Sequence, residues 1–351
     1  MMINMRNIRI FLTVIMVTLL SVLVFGCKNE TIEIKLNFDS QSNTLFWSQI
    51  DSASTYEILI DNESVKTKNN ESFYKLTSSY YGEHTIKVRA LNALGIAISE
   101  YSNDLSIYVE KTLSEVLEDL TKEHIKSTVK VITRIDTLTG IEYFDGSGVI
   151  FKKQASQTTG YYEYYILTNN HVVAHGNSFN KAKYSVVDYM AETINGYDYN
   201  LSANNKVTVA NNKVTVAFQS ADYDLAVVKL ISDNDYKVMP FAREDVSVGD
   251  KVISIGAPLG VVNSVTAGEV VKTDKKIETS SPEVSNVTFN VITHNAYLND
   301  GSSGGVLMNY NYEIVGINFA TGKSSNTGEF VEGYAVPVSK VKEFLTLNSE
   351  N

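Results

Sequence analysis

From residue 31 onward the chain is dominated by short runs in which apolar and polar residues alternate, with Asn, Asp or Gly between the runs. Alternation puts successive side chains on opposite faces of a strand, and turn-forming residues at this spacing separate the strands. The 21 Tyr residues and the scarcity of Pro, at 4 residues, favour strands over extended linkers. The sequence therefore predicts an all-β protein.

The length and the charge narrow the class of protein further. A chain of 351 residues is long enough for two or three domains. Its formal net charge is −10, which argues against nucleic acid or an anionic surface as the main partner.

The first 26 residues have the composition of an export signal. Arg6 and Arg9 form a basic head, residues 10–25 are almost continuously apolar, and the first acidic residue is Glu30. The apolar run is shorter than the roughly 20 residues that span a bilayer as a helix. A plain signal peptide and an uncleaved anchor helix are the alternatives to the lipoprotein signal described next.

Residues 24–27, Val-Phe-Gly-Cys, resemble a bacterial lipobox, in which a lipidated cysteine becomes the new N-terminus. Cys27 is the only cysteine in the sequence, so it cannot form a disulfide within the chain. The resemblance implies lipidation at Cys27 and a place on the bacterial cell membrane, lipid-anchored and facing the extracellular side. Removal of Arg6 and Arg9 with the signal would change the net charge from −10 to −12.

Residues 27–110 are expected to form a first domain. About seven short strands at this spacing are typical of a β-sandwich. The order of motifs resembles a fibronectin type III domain, with Trp47 at the family's core tryptophan and Tyr56 closing its entry to the next strand. The resemblance implies an Ig/fibronectin III-like sandwich that acts as a spacer or a binding module.

Residues 111–351 open with an amphipathic helix, capped by Thr112 or Ser114, and continue as strands. Residues 176–204 have weak periodicity and are interpreted as a surface excursion. The pattern predicts strands at 129–134, 146–151, 161–167, 251–256, 264–271, 287–293, 313–320 and 333–338, and a closing helix at 341–345.

Three residues capable of nucleophilic chemistry stand at the ends of apolar strands, in the order His171, Asp224, Ser303. Taken singly, Asp224 and the Gly/Ser stretch around Ser303 have the composition of ordinary turns. A serine hydroxyl needs a base, histidine titrates near neutral pH, and a carboxylate orients the imidazole. The order His, Asp, Ser is that of chymotrypsin-type enzymes.

Five motifs in this region resemble a trypsin-like serine protease of the HtrA (Deg) type. They are residues 146–150, 167–173, 222–227, 255–260 with 265–268, and 299–305 with 316–318. The resemblance implies a chymotrypsin-like double β-barrel, with barrels at about 128–232 and 237–340, inside a protease domain that spans 111–351.

The resemblance also implies a role for each residue. Ser303 attacks the substrate, His171 takes its proton and Asp224 holds His171. The amides of Gly301 and Ser303 form the oxyanion hole. No metal and no cofactor are implied, and the partners are protein or peptide substrates.

In two respects this sequence differs from related proteases, and both concern how the protease activity is regulated. Ser302 stands where secreted trypsins have an Asp that pairs with a newly cut N-terminus, so activation of the trypsin zymogen type is not expected. HtrA proteins usually carry a C-terminal PDZ domain, whereas this sequence ends shortly after the protease motifs. Regulation by a PDZ domain is therefore in doubt.

The resemblance places the primary substrate pocket beside residues 299–305, which contain Ser303 and are called here the nucleophile loop. The candidate lining residues are Tyr297, Leu298, Asn318, Phe319 and Ala320. Tyr297 occupies the position of a trypsin-like acidic selector, so the expected preference is for a small or medium apolar residue before the cut. His294 near this region is the basis of the other reading, a preference for acidic residues.

A surface-anchored serine endopeptidase is thus the leading hypothesis. The alternative is a catalytically silent binding or adhesion protein that retains the protease fold. A third possibility gives the sandwich domain the main role, as an anchor.

Overall fold

The computed structural model describes residues 33–175, 181–195, 214–278 and 281–348. The chain consists of two compact units, and the boundary between them lies between Lys111 and Thr112. Cys27 and the segment expected to be an export signal lie outside the described residues. Within the described ranges, every helix is too short or too polar to cross a bilayer.

The first unit consists of two antiparallel sheets over one apolar core. Its strands are β1 (Leu36–Asp39), β2 (Thr44–Trp47), β3 (Thr55–Ile60), β4 (Glu63–Lys66), β5 (Phe73–Lys75), β6 (Gly82–Leu91) and β7 (Leu105–Val109). One sheet has the order β1-β2-β5 and the other β4-β3-β6-β7. Trp47 and Tyr56 meet edge-to-face inside the core, with ring centroids 5.2 Å apart.

The second unit begins with helix α1 (Leu113–Lys122). Thr112 caps it through a capping box with Glu115, which satisfies two backbone donors at the helix start. Val116 and Leu120, four residues apart on one helix face, are buried in the core of this unit.

The second unit continues with a seven-stranded antiparallel sheet, which lies where the first of the two expected barrels was predicted and is called the first barrel below. Its strands are β8 (Thr128–Thr137), β9 (Gly140–Ala155), β10 (Tyr162–Thr168), β11 (Ala182–Val187), β12 (Thr193–Asn195), β13 (Val214–Ser220) and β14 (Leu225–Ser232), in the order β12-β11-β8-β9-β10-β14-β13. The short helix α2 (Asn170–Val173) follows β10. The surface excursion expected at 176–204 is wrong for 182–195, because β11 pairs with β8 and buries Val186.

Six strands close into the second barrel. They are β15 (Lys251–Gly256), β16 (Ser264–Lys275), β17 (Val291–His294), β18 (Val306–Met308), β19 (Ile314–Lys323) and β20 (Phe330–Pro337), in the order β15-β16-β17-β20-β19-β18. Helix α3 (Val338–Leu347) follows directly and buries Val341 and Phe344.

The strand expected at 287–293 is wrong in its first half, since β17 begins only at Val291. Polar groups of residues 284–286, which precede this stretch, form hydrogen bonds to the first barrel. The amide of Asn286 donates to the carbonyl of Ala221 at 2.7 Å, and the carbonyl of Val284 accepts from Asn170 Nδ2 at 2.7 Å. These groups are therefore not available to a sheet ladder of the second barrel.

The all-β prediction is confirmed. Two sheets around one core form the N-terminal unit, and a seven-stranded sheet followed by a closed barrel forms the rest. The two barrels bring the end of β10, the start of β14 and the loop before β18 together.

Candidate active site

Strand ends position His171 and Asp224 next to each other. His171 lies in α2, three residues after the last residue of β10, and Asp224 directly precedes β14. These two strands are antiparallel neighbours, with Thr168 opposite Ala226. His171 Nδ1 lies 2.7 Å from Asp224 Oδ2, and the amide of His171 donates to Asp224 Oδ1 at 3.0 Å.

Asp224 is fully buried and has hydrogen-bond donors on both carboxylate oxygens. In addition to His171, Ser285 Oγ donates to Oδ2 at 2.9 Å. Asn169 Nδ2 donates to the backbone carbonyl of Asp224 at 2.8 Å. A carboxylate held in this way fixes the His171 ring with Nδ1 toward Asp224, so that Nε2 is the nitrogen free to act as a base.

Gly146 lies between the histidine segment and the nucleophile loop. A Cβ atom at this position would lie 2.6 Å from Val172 Cγ2 and 2.7 Å from the carbonyl oxygen of Ser303. Only a residue without a side chain permits both contacts. Gly146 therefore allows the segment of His171 and the backbone of Ser303 to approach the same point on β9.

Ser147 connects the nucleophile loop to the two barrels and is fully buried. Its amide donates to the carbonyl of Ser303 at 2.6 Å, and its carbonyl accepts from Thr168 Oγ1 at 2.7 Å. Its hydroxyl donates to the carbonyl of Gly301 at 2.7 Å and accepts from the amide of Ala257 at 2.8 Å. Sequence analysis placed Ser147 in a motif but gave it no role.

The amides of the nucleophile loop fall into two groups. Those of Asn299, Asp300, Ser302, Gly304 and Gly305 donate to acceptors in the loop itself or to Asn318. Those of Gly301 and Ser303 donate to no acceptor in the part of the chain that the structure describes. The two amides that remain available are the pair expected to form an oxyanion hole.

The peptide between Asp300 and Gly301 is held in one orientation. The carbonyl of Asp300 accepts from the amide of Leu259 at 2.9 Å, and Gly301 has a φ of 93°. A trans peptide directs its carbonyl and its N–H to opposite sides. Because the carbonyl of Asp300 points toward Leu259, the amide of Gly301 points to the opposite side of the peptide.

The five residues expected to form the substrate pocket differ in how far their side chains are exposed. Leu298, Asn318 and Phe319 are buried, and Phe319 belongs to the main apolar core of the second unit. Tyr297 is 53% exposed and packs edge-to-face on Phe330, with centroids 5.1 Å apart. Ala320 is half-buried. Among the five, only Tyr297 and Ala320 offer accessible side chains.

A pocket of about 280 Å³ lies beside the nucleophile loop. It is lined by residues of β15, of the turn after it, of β16 and of the segment 297–302: Ser254, Gly256, Pro258, Leu259, Val261, Ser264, Thr266, Tyr297, Asn299 and Ser302. Tyr297 is the only expected specificity residue in this lining.

His294 is fully buried in the second barrel. Its Nε2 lies 3.0 Å from Asn318 Oδ1, and Asn318 Nδ2 donates to Ser254 Oγ at 2.8 Å. Burial lowers the pKa of His294 from 6.5 to about 4. The imidazole is therefore neutral near pH 7, which removes the basis for the expectation that His294 selects acidic residues.

His175, a residue to which the sequence assigned no role, lies near His171. Its ring stacks on Phe144 with centroids 3.6 Å apart, and burial lowers its pKa, with a smaller opposing effect from a hydrogen bond to the backbone of His171. Its sequence context carried no signal for this proximity. No group of three His, Cys, Asp or Glu side chains within the described ranges is arranged to hold a metal ion.

Comparisons with known proteins agree with this geometry. Residues 146–317 match the family model described as a trypsin-like peptidase domain. The chain is 31% identical over 249 residues to the serine protease Do-like HtrA of Bacillus subtilis (strain 168), which covers 70% of this chain and 48% of the relative.

Other relatives are similar at the same level. The serine protease Do-like HtrB of Bacillus subtilis (strain 168) is 33% identical over 202 residues, covering 57% of this chain and 37% of the relative. The serine protease Do-like HtrA of Lactococcus lactis subsp. cremoris (strain MG1363) is 30% identical over 208 residues, covering 57% and 44%. The chain thus spans less than half the length of these three relatives.

Proposed function

We propose that this chain, whose residues 146–317 form a trypsin-like peptidase domain related to the Do-like HtrA proteases, is a serine endopeptidase. The observation that carries the proposal is the contact between His171 Nδ1 and the buried Asp224, next to a loop in which the amides of Gly301 and Ser303 are available. An oriented base and two free donors are what acyl transfer to a serine requires.

The reaction proceeds in two halves. Ser303 Oγ attacks the carbonyl carbon of the peptide bond, and His171 Nε2 accepts the hydroxyl proton. The amides of Gly301 and Ser303 donate to the oxygen, which becomes negative. His171 then gives its proton to the departing amine, which leaves an ester on Ser303. A water molecule, deprotonated by His171, hydrolyses that ester and regenerates the serine.

A fluorophosphonate probe tests the nucleophile directly. We expect the full chain to be labelled and Ser303→Ala to remain unlabelled. Ser302→Ala should retain labelling, because the Ser302 hydroxyl accepts from the amide of Asn299 and is not the attacking group. Hydrolysis of a peptide library should fall by several orders of magnitude in Ser303→Ala. Absence of labelling in the folded wild-type chain would contradict the proposal.

The alternative is a binding or adhesion protein that has kept the fold without the activity. It requires an active site that does not react with the probe although the protein is folded. The same experiment therefore separates the two functions, because only an enzyme is labelled at Ser303.

Anchoring at the membrane is a second part of the proposal and rests on the sequence of residues 1–27 alone. Cys27 would carry the lipid, on the outer face of a bacterial membrane. Cys27→Ala should abolish incorporation of radiolabelled palmitate and release the protein from the membrane fraction. Unchanged incorporation in that variant would contradict lipidation at this residue.

The first unit is proposed to be a fibronectin type III-like spacer or binding module. Support comes from its sheet orders β1-β2-β5 and β4-β3-β6-β7 and from the buried Trp47. For the substrates we propose polypeptides cut after a small or medium apolar residue. A cleavage-site profile on a proteome-derived peptide library tests that preference.

A further inference from the structure

The connection between β16 and β17 belongs to the second barrel but contacts the first barrel at the catalytic aspartate. Ser285 Oγ donates to Asp224 Oδ2 at 2.9 Å, across 61 residues of sequence. Ser285 is buried, with 8% of its surface exposed, and Asp224 is fully buried. Ser285 is not among the residues that the sequence assigned to the site, whereas Asp224 is.

Residues 284–287, called here the clamp segment, are fixed on both sides of that contact. Before Ser285, the carbonyl of Val284 accepts from Asn170 Nδ2 at 2.7 Å, next to His171. After it, Asn286 Nδ2 donates to Asp222 Oδ1 at 2.8 Å, two residues from Asp224. The side chain of Val287 is buried in the main core of the unit. The Ser285 hydroxyl is thus held against Asp224 by contacts that do not involve Asp224.

The two donors on Asp224 Oδ2 have different consequences for the carboxylate. The contact with His171 Nδ1 by itself would leave the carboxylate plane free to turn, because the terminal torsion of aspartate is broad. The amide of His171 holds Oδ1 and the Ser285 hydroxyl holds Oδ2, so the plane is fixed from two directions. A hydroxyl donor also spreads the negative charge, which moderates the pull of Asp224 on the His171 proton.

We propose that Ser285 is a positioning residue, which fixes the Asp224 carboxylate and thereby the His171 ring, and that the clamp segment makes catalysis depend on contact between the two barrels. The proposal rests on the proposed peptidase function. Its consequence is that the second barrel supplies both the nucleophile, Ser303, and the group that sets the orientation of the base.

The test compares two full-length variants that each lose one hydroxyl from the same connection. Ser285→Ala removes the donor to Asp224. Thr288→Val is the matched control, since Thr288 is exposed and lies three residues away. Ser285→Thr keeps a hydroxyl and should retain most of the activity. If alanine at 285 prevents folding, Ser285→Cys, with a thiol that is a weak donor, replaces it.

We expect Ser285→Ala to lower kcat about 10-fold with KM unchanged, because a hydrogen bond to a charged group is lost in the catalytic machinery and not in substrate binding. Thr288→Val should match the wild type in both kcat and KM.

A second measurement does not require activity. In a Ser303→Ala background, the proton on His171 Nδ1 gives a downfield NMR resonance, and we expect Ser285→Ala to move it while Thr288→Val does not. A kcat and a resonance that are the same in Ser285→Ala and Thr288→Val would overturn the proposal. A wild type that cleaves no peptide would instead contradict the proposed function, and the resonance would still decide the role of Ser285.

Discussion

At the scale of single residues, the site depends on small side chains that permit or make contacts between distant segments. The amide, the carbonyl and the hydroxyl of Ser147 hydrogen-bond to four partners in and around the nucleophile loop. Gly146, directly before it, contributes by having no side chain. Neither residue takes part in the reaction proposed above, yet both determine where Gly301 and Ser303 lie.

Removal of the Ser147 hydroxyl should therefore affect the rate more than binding. Ser147→Ala leaves the carbonyl of Gly301 and the amide of Ala257 without their shared partner. We expect kcat to fall about 10-fold, as a loosened oxyanion donor does, while KM changes little. Steady-state kinetics on one peptide decides this. A change confined to KM would mean that the hydroxyl serves substrate binding.

Gly146→Ala should disturb both stability and activity. The new methyl group would meet Val172 Cγ2 and the Ser303 carbonyl at less than 3 Å, and the backbone oxygen cannot move without the loop. We expect a loss of about 1–3 kcal/mol in the free energy of unfolding, as for other overpacked sites. Urea unfolding measures it. A variant with wild-type stability and rate would show that the loop is adaptable at this point.

At the scale of elements, strands of the second barrel enclose polar groups that are paired across the barrel. β17 contributes His294, β19 contributes Asn318 and β15 contributes Ser254 to one buried chain of hydrogen bonds. β20 contributes Gly333, where a Cβ would lie 2.5 Å from His294 Cε1. The close packing around the imidazole keeps water away and disfavours its charged form.

Acidification should therefore destabilise the second unit through His294. Its pKa is lowered to about 4 by burial, whereas the unfolded chain protonates near 6.5. Between these values the unfolded state binds more protons, so the free energy of unfolding falls as the pH falls, by about 3 kcal/mol in total. The stabilisation is complete above pH 6.5 and is lost toward pH 4.

Urea unfolding between pH 7 and pH 4.5 checks this expectation against His294→Gln. Glutamine can still donate to Asn318 but does not titrate, so the variant should lose less stability on acidification. Equal pH dependence in both proteins would show that other groups cause the acid effect.

At the scale of the whole molecule, the two units have separate apolar cores. Trp47, Tyr56 and Ile86 belong to the core of the first unit, and the cores of the second unit contain only residues after Thr112. The residues of the proposed triad, His171, Asp224 and Ser303, all lie in the second unit. Peptide cleavage should therefore depend on the second unit alone.

A chain that begins at Lys111 tests that independence. It retains Thr112 and Glu115, which cap α1. We expect its kcat/KM on short peptides to remain within about 2-fold of the full chain, because the shortened chain keeps each group that acts on the substrate. A loss of cleavage in a folded truncated chain would assign the first unit a part in catalysis.

The sequence by itself determined the strands and the chemistry. Alternation predicted the strand class because the two-residue period of side chains is a local property, and it located β15 at its observed ends. The order of His171, Asp224 and Ser303 at strand ends, together with a family resemblance, supplied the residues of the proposed triad. Each of these inferences required only a few neighbouring positions.

The tertiary structure alone decided which groups meet. Ser285 reaches Asp224 across 61 residues and Ser147 reaches Gly301 across 154, and no local pattern encodes such pairs. The burial of Leu298, Asn318 and Phe319 was not evident for the same reason, since the barrel determines which side of a strand faces the core. Hydrogen bonds across the barrels, formed only on folding, thus set the geometry of a site whose chemistry was visible in the chain.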